Sequence, residues 1–147
     1  MIDRDNIGKS FDSLVVDVEK GQLKFFAKAT AESNPIYTDE AAAKAAGYAA
    51  LPAPPTFGFS LNLAKPNPFD NFMAMGIDLN RVLHASQEFE YIAPILAGDT
   101  ITLKDSVNDI YDKKGGALEF VIIETTATNQ KDEHVLSMTN TLVVRNG

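Results

Sequence analysis

The second half of the chain is patterned for β-strands, and the first half is not. Four segments combine alternating apolar positions with many β-branched residues. They are 84–94, 100–111, 117–129 and 135–144. Because 117–129 is apolar on both faces over part of its length, we expect a central strand that is buried on both sides. Glycines at the end of 112–116 favour a hairpin, and one short strand is expected earlier, at 14–18.

The first half is expected to form mainly helices and loops. One helix is predicted over about 18–30, capped by Asp17, and a second begins after Thr38 and ends at Gly47. Prolines then lead into a third, predicted over 56–64. Helices that are separated from strands along the chain indicate an α+β fold. The apolar helix 56–64 is the element that such a sheet would wrap.

Length and composition exclude several classes of protein. The 147 residues, with 45% hydrophobic and 22% charged side chains, fit a single globular domain over 1–147. A net charge of −7 argues against nucleic acid and anionic membrane partners. The chain has no cysteine and only two histidines, so we expect no disulfide, no thiolate nucleophile and no metal site. The polar N-terminus and the lack of a long apolar run predict no signal peptide, no membrane span and a cytoplasmic location.

The densest polar segment outside the turns lies between the first two predicted helices. Glu32 and Tyr37 are candidates for an acid–base pair there, and Asn34 is a candidate for orienting a water molecule or a carbonyl group. The same residue types are also normal in a turn between two helices. Both interpretations remain open from the sequence.

A second candidate site is the start of the helix 56–64. The first backbone N–H groups of a helix lack partners within the helix, so the amides that follow Thr56 are suited to polarising a carbonyl oxygen. Thr56, Phe57 and Gly58 are therefore candidate substrate-binding residues. A simple helix entry after prolines is the alternative.

Polar residues on the predicted strands give weaker signals. His84, at a strand start, is a candidate general base or substrate contact, although such a histidine is more often structural. Asp105 and Asp109 are spaced for one strand face, and we expect them to keep an exposed face polar.

Two motifs occur in the order and spacing of a known family. The first comprises Asn34, Pro35, Ile36, Asp39, the alanine-rich run, Gly47 and Tyr48; the second comprises Pro94, Ile95, Gly98 and Asp99. On these residues the chain resembles the MaoC-like dehydratases, the (R)-specific enoyl-CoA hydratase group of the hot-dog fold. The segment 53–57 (APPTF) and the pattern L-H-x-x-Q at 83–87 resemble its N-terminal MaoC, or FAS1-like, dehydratase subgroup.

The resemblance implies a central helix wrapped by a curved antiparallel sheet, paired as a homodimer or with a second MaoC-type chain. It implies a cofactor-free reaction between (3R)-hydroxyacyl-CoA, or the acyl-carrier-protein thioester, and the trans-2-enoyl thioester. Glu32 and Tyr37 occupy the family's Asp and His positions. Asn34 and Thr56 would assist them, and the amides near 57–58 would polarise the thioester carbonyl.

The tyrosine at the histidine position separates two hypotheses. A phenol has a reference pKa near 10, so it is a poor base at neutral pH but a competent hydrogen-bond donor. Either the chain is a dehydratase that uses Glu32, or it is a non-catalytic subunit that binds the acyl thioester while a partner supplies Asp and His. A hot-dog thioesterase ranks lower, because the motif is the hydratase one.

Overall fold

A five-stranded antiparallel sheet organises the computed structural model, which describes residues 1–146. Its strands are β1 (Leu14–Asp17), β2 (Val82–Tyr91), β3 (Thr100–Lys113), β4 (Leu118–Thr128) and β5 (His134–Arg145). They lie in the order β1-β3-β4-β5-β2, so the short β1 and the ten-residue β2 form the two edges. The expected four long strands and one short strand are confirmed, and β2 begins two residues before the predicted start at 84.

Four short helices and three 3₁₀ turns complete the fold. The helices are α1 (Lys20–Ala29), α2 (Glu40–Ala45), α3 (Phe57–Asn62) and α4 (Asp70–Ala74), and the turns are Arg4–Asn6, Pro35–Tyr37 and Leu79–Arg81. The predicted start of α2 is confirmed, because the Asp39 side chain accepts hydrogen bonds from the first amides of the helix. Within the described residues, no helix is long and apolar enough to span a membrane.

The predicted capping role of Asp17 is wrong. Asp17 is the last residue of β1, where it pairs with Thr100 and accepts a hydrogen bond from the Thr100 hydroxyl at 2.7 Å. The helix starts later, after Glu19, whose side chain makes no capping bond. The Asp17 carboxylate therefore binds to β3 and does not cap the helix that follows it.

The predicted central helix is confirmed, although α3 is shorter than 56–64. Phe57, Gly58 and Leu61 are buried, and they pack on the inner face of the sheet. The first apolar cluster, around α1 and α3, includes Leu23, Leu51, Phe57, Leu61, Ile101, Leu103, Leu136 and Met138. The second, toward the other end of the sheet, includes Ile2, Met75, Ile77, Val107, Ile110, Val121, Ile123, Leu142 and Val144. The sheet thus covers α3 with one part of its inner face and α4 and the N-terminus with the other.

The strand β4 is central, as expected, but it is not buried on both faces. Val121, Ile123 and Ala127 on the inner face are buried. Phe120 on the outer face is only half-buried and stacks on Tyr111 with 4.7 Å between ring centroids. The apolar run in the sequence therefore reflects aromatic pairing on the outer face rather than a second covering layer.

A band of polar side chains crosses the inner face between the two apolar clusters. It contains one residue from each of four neighbouring strands, and we call it the polar stripe: Gln87, Asp105, Thr125 and Asn140. Asp105 lies opposite Thr125, and Gln87 lies opposite Asn140. The expectation that Asp105 is exposed is wrong, because Asp105 lies on the same inner face as Leu103 and Val107. The bulge between Val107 and Asp109 turns only Asp109 to the outer face.

Candidate functional site

The loop that connects α1 to α2 is held by its own polar side chains. Glu32 Oε1 accepts a hydrogen bond from the Asn34 N–H at 2.9 Å, and Asn34 Oδ1 accepts one from the Ile36 N–H at 3.2 Å. Asn34 thereby caps the 3₁₀ turn Pro35–Tyr37. Both side chains make the contacts of a well-formed helix-to-helix connection, in addition to any chemical role.

Three tyrosines and one glutamate lie close together beside this loop. The pKa of Tyr37 is raised above its usual value of 10.0, first by burial, then by the negative charge of Glu32, and further by Tyr48 and Tyr91. A phenol in this environment keeps its proton at neutral pH. Tyr37 is therefore suited to donate a hydrogen bond and not to abstract a proton.

The start of α3 is held by a tyrosine from a distant strand. Thr56 has a left-handed backbone with φ of 69°, and its side chain makes no capping bond. The Thr56 N–H instead donates to the phenol oxygen of Tyr91 at 3.1 Å, and the Phe57 N–H donates to the Pro54 carbonyl at 3.1 Å. Tyr91 thus connects the tyrosine group to the helix that the sequence singled out.

A small cavity of about 350 Å³ flanks the start of α3. It is lined by Tyr48, Ala53, Pro54, Gly58, Tyr91, Ile92, Ala93, Pro94, Ile95 and Leu136. Gly58 permits the close approach of α3 to β5, since a Cβ at this position would overlap Leu136 Cδ2. Of the site residues predicted from the sequence, Gly58 lines this cavity.

A larger cavity of about 390 Å³ lies on the other flank of α3. Most of its walls are apolar, and its floor is the polar stripe. Its remaining lining residues are Phe59, Asn62, Leu63, Lys65, Pro68, Phe69, Phe72, Leu79, Val82, His84, Ile123 and Leu142. His84 lies here, stacked on Phe59 with 5.4 Å between ring centroids.

The structure distributes the predicted site residues over three neighbouring places. Glu32, Asn34 and Tyr37 share the loop, Gly58 lines the small cavity, and His84 lines the large one. The resemblance described above would bring Glu32, Asn34 and Tyr37 into one cavity with the start of α3, but none of them lines either cavity. Tyr91, which raises the pKa of Tyr37 and accepts the Thr56 N–H, lies between the loop and the start of α3.

A partly buried ion pair had not been predicted from the sequence. Lys65 Nζ lies 2.7 Å from Asp105 Oδ2, and the Thr125 hydroxyl donates to Asp105 Oδ1 at 2.7 Å. The Asn62 amide nitrogen also donates to Thr125 at 3.2 Å. The available signal was the break in apolar alternation at inward positions of four strands. Within residues 1–146, no group of His, Cys, Asp or Glu is arranged to hold a metal ion.

Comparison with known proteins places this geometry in context. Residues 5–138 match the family described as the FAS1-like, dehydratase domain region. The chain is 32% identical over 145 residues to a UPF0336 protein of Streptomyces avermitilis, covering 98% of this chain and 95% of the relative.

Solved structures share the fold over nearly the whole chain. A chain of the C-terminally truncated HadBC (3R-hydroxyacyl-ACP dehydratase) complex from Mycobacterium tuberculosis aligns with a TM-score of 0.79 and 28% identity, covering 94% of this chain and 96% of that one. A MaoC-like dehydratase aligns with a TM-score of 0.85 and 24% identity, covering 95% of this chain and 42% of that one.

Proposed function

Because this chain belongs to the family of FAS1-like dehydratase domains and has the hot-dog fold of the MaoC-like dehydratases, we propose that it serves a (3R)-hydroxyacyl-thioester dehydratase as the subunit that binds the acyl chain. In this proposal, a second MaoC-type chain supplies the catalytic Asp and His. The reverse reaction, hydration of a trans-2-enoyl thioester, uses the same site.

The protonation state of Tyr37 carries this proposal. Dehydration removes a proton from the carbon next to the thioester carbonyl and delivers a proton to the departing 3-hydroxyl group. The base needs a pKa near the working pH. Burial and the charge of Glu32 move the pKa of Tyr37 the other way, and the Glu32 carboxylate already accepts the Asn34 N–H. This pair is thus poorly suited to replace Asp and His.

The large cavity supports a role in acyl binding. Its volume of about 390 Å³ and its apolar walls suit an alkyl chain. Leu63 and Phe69, at its rim, are each 48% exposed, so apolar surface continues from the cavity to the outside. An acyl chain that enters would cover this surface.

A partner chain is supported by the free edge of the sheet. The strand β2 pairs with β5 on one side only, and Leu83 and Tyr91 on it are about half exposed. An unpaired edge with apolar side chains favours association with another strand. The similarity to a chain of the HadBC complex is consistent with a two-chain assembly.

A hydration assay tests the proposal. We would follow the loss of enoyl absorbance with crotonyl-CoA and longer enoyl-CoAs, using the purified chain alone and mixed with a MaoC-type chain that carries Asp and His. We expect no measurable hydration by the chain alone and a faster partner reaction on the longer substrates. The double variant Glu32→Asp with Tyr37→His should gain activity alone, about 100-fold or more above the wild type, on the usual scale of acid–base catalysis.

A self-sufficient hydratase is the second candidate. Its support is the proximity of Glu32 to Tyr37, which brings a carboxylate and a protonated phenol together. In that case the wild-type chain alone hydrates enoyl-CoA, Glu32→Gln lowers the rate about 100-fold or more, and Tyr37→Phe lowers it less. That result would exclude the subunit proposal.

A further inference from the structure

The large cavity contains three buried oxygen atoms that have no hydrogen-bond partner. They are Asn62 Oδ1, Gln87 Oε1 and Asn140 Oδ1, and none of them is paired within residues 1–146. All three residues line the cavity. Buried polar atoms are nearly always paired, by protein or by water, in folded proteins. Three acceptors around one cavity therefore mark a level at which a ligand group that donates a hydrogen bond is favoured over an alkyl group.

The orientation of two of these amides is set by their neighbours. The Asn62 nitrogen donates to Thr125 and to Asp105, at 3.2 Å and 3.4 Å, so the oxygen is the atom that remains. The Gln87 nitrogen donates to the Glu88 carbonyl at 3.3 Å. Near the polar stripe, these two amides therefore present hydrogen-bond acceptors to the cavity.

The charges around the cavity argue against an ionic ligand group. The lining holds Lys65, Asp105 and the His84 imidazole, and Lys65 and Asp105 are paired with each other at 2.7 Å. A second anion would face three amide oxygens and the Asp105 carboxylate, and a cation would compete with Lys65 for Asp105. A neutral group that donates a hydrogen bond meets neither obstacle.

We propose that the large cavity selects acyl chains that carry a hydroxyl group part-way along the chain, where the polar stripe and Asn62 lie. A plain alkyl chain would remove water from the three oxygens and leave them unpaired, which costs free energy for each buried acceptor. A hydroxyl donates to one of them and so recovers part of that cost. This inference rests on the proposed acyl-binding function and specifies the class of acyl chain.

This hydroxyl is distinct from the one that the dehydratase reaction removes. Asn62 ends α3, and at a rise of about 1.5 Å per residue it lies roughly 7–8 Å along the helix axis from Phe57. The reacting carbons belong near the start of α3. The stripe therefore contacts a more distant part of the chain.

Ligand binding tests this inference without any catalytic readout. Calorimetric titration of the full chain would compare decanoic acid with a set of its monohydroxylated isomers. We expect at least one mid-chain isomer to bind about tenfold more tightly than decanoic acid. Tighter binding of decanoic acid than of every isomer would overturn the inference while leaving acyl binding intact. Absence of binding by all ligands would overturn it as well.

Variants of the stripe give a second, independent outcome. Asn140→Leu replaces an unpaired acceptor by an apolar side chain of similar size, so decanoic acid should bind more tightly and the preference for hydroxylated chains should shrink. Asn108→Leu, an exposed position on β3, is the matched control and should change neither affinity. If Asn140→Leu does not fold, Gln87→Leu at the sheet edge and the comparison of ligands on the wild type still test the hydroxyl preference.

A hydroxyl preference that persists in a protein without hydratase activity, alone or with a partner, would contradict the proposed function but not this inference.

Discussion

At the residue scale, Tyr37 is expected to lower the free energy of unfolding at alkaline pH. The folded-state pKa is above the unfolded value of about 10, because burial and Glu32 disfavour the phenolate. The stabilisation is therefore fully present below pH 10 and is lost as the pH rises through the folded pKa. We expect the free energy of unfolding, measured with urea at pH 9 and pH 11, to fall less in Tyr37→Phe than in the wild type.

The variant Tyr111→Phe is the control for this measurement. Tyr111 lies on the outer face of the sheet against Phe120, away from the acidic loop. The variant Tyr111→Phe removes a phenol hydroxyl, as Tyr37→Phe does, without changing the surroundings of Glu32. Equal pH dependence in wild type and Tyr37→Phe would contradict the prediction.

Asp105 gives the second prediction at this scale. Its side chain is 13% exposed and its partner Lys65 is 18% exposed, so Asp105→Ala leaves a largely buried ammonium group unpaired. We expect a loss of about 1–3 kcal/mol in the free energy of unfolding. The control Lys20→Ala breaks the Lys20–Glu40 pair, whose side chains are 51% and 53% exposed, and should cost less than about 1 kcal/mol. Similar losses in a urea titration of both variants would show that burial does not set the contribution of the pair.

Single residues were predicted well where their contacts are local. Asp39 caps α2 as expected, since its partners are two and three residues away. Asp105 was assigned to the exposed face because its charge was given more weight than its position in the alternation of Ile101, Leu103 and Val107. The bond from Thr56 to Tyr91 spans 35 residues, so it depends on the packing of β2 against α3 and has no local sequence signal.

At the element scale, the close packing of α3 against β5 depends on Gly58. Its replacement by alanine would force Leu136, a fully buried side chain, to move. We expect Gly58→Ala to lower the free energy of unfolding by about 1–3 kcal/mol, the usual effect of overpacking. The loss should appear although alanine has the higher helix propensity.

The matched control is Gly21→Ala in α1. A Cβ at Gly21 meets no atom within 4 Å, so only the propensity changes, and alanine should leave stability unchanged or raise it by up to about 1 kcal/mol. Urea unfolding of both variants distinguishes steric from helical effects. A gain in stability for Gly58→Ala would contradict the close-packing argument.

The order and type of the elements were predicted better than their functional arrangement. Periodicity identified the strands and the wrapped helix, because burying an apolar face leaves a repeating pattern in the sequence. The position of the two cavities depends on how α3 and the following loop lie against the sheet. Contacts distant in sequence set that arrangement, so the sequence does not show which candidate residues line which cavity.

At the scale of the whole molecule, the open edge at β2 predicts self-association or assembly with a partner. We expect light scattering of the purified chain at micromolar concentration to give a mass of at least twice the 16.0 kDa of the chain. Leu83→Lys should shift the protein toward the monomer, because Leu83 on β2 is 49% exposed. Phe25→Lys, which replaces an exposed apolar residue on α1, should not. A stable wild-type monomer would contradict the expectation.

The polar stripe also divides the packing on the inner face of the sheet into two parts. Side chains on either side of the stripe form separate apolar clusters, so the loss of packing on one side does not remove the packing on the other. Amide hydrogen exchange should therefore be faster in 66–81, which lies over the second cluster, than in α1 and α3. Local opening of the stretch from 66 to 81 would then admit a ligand to the large cavity without disturbing the packing around α1 and α3.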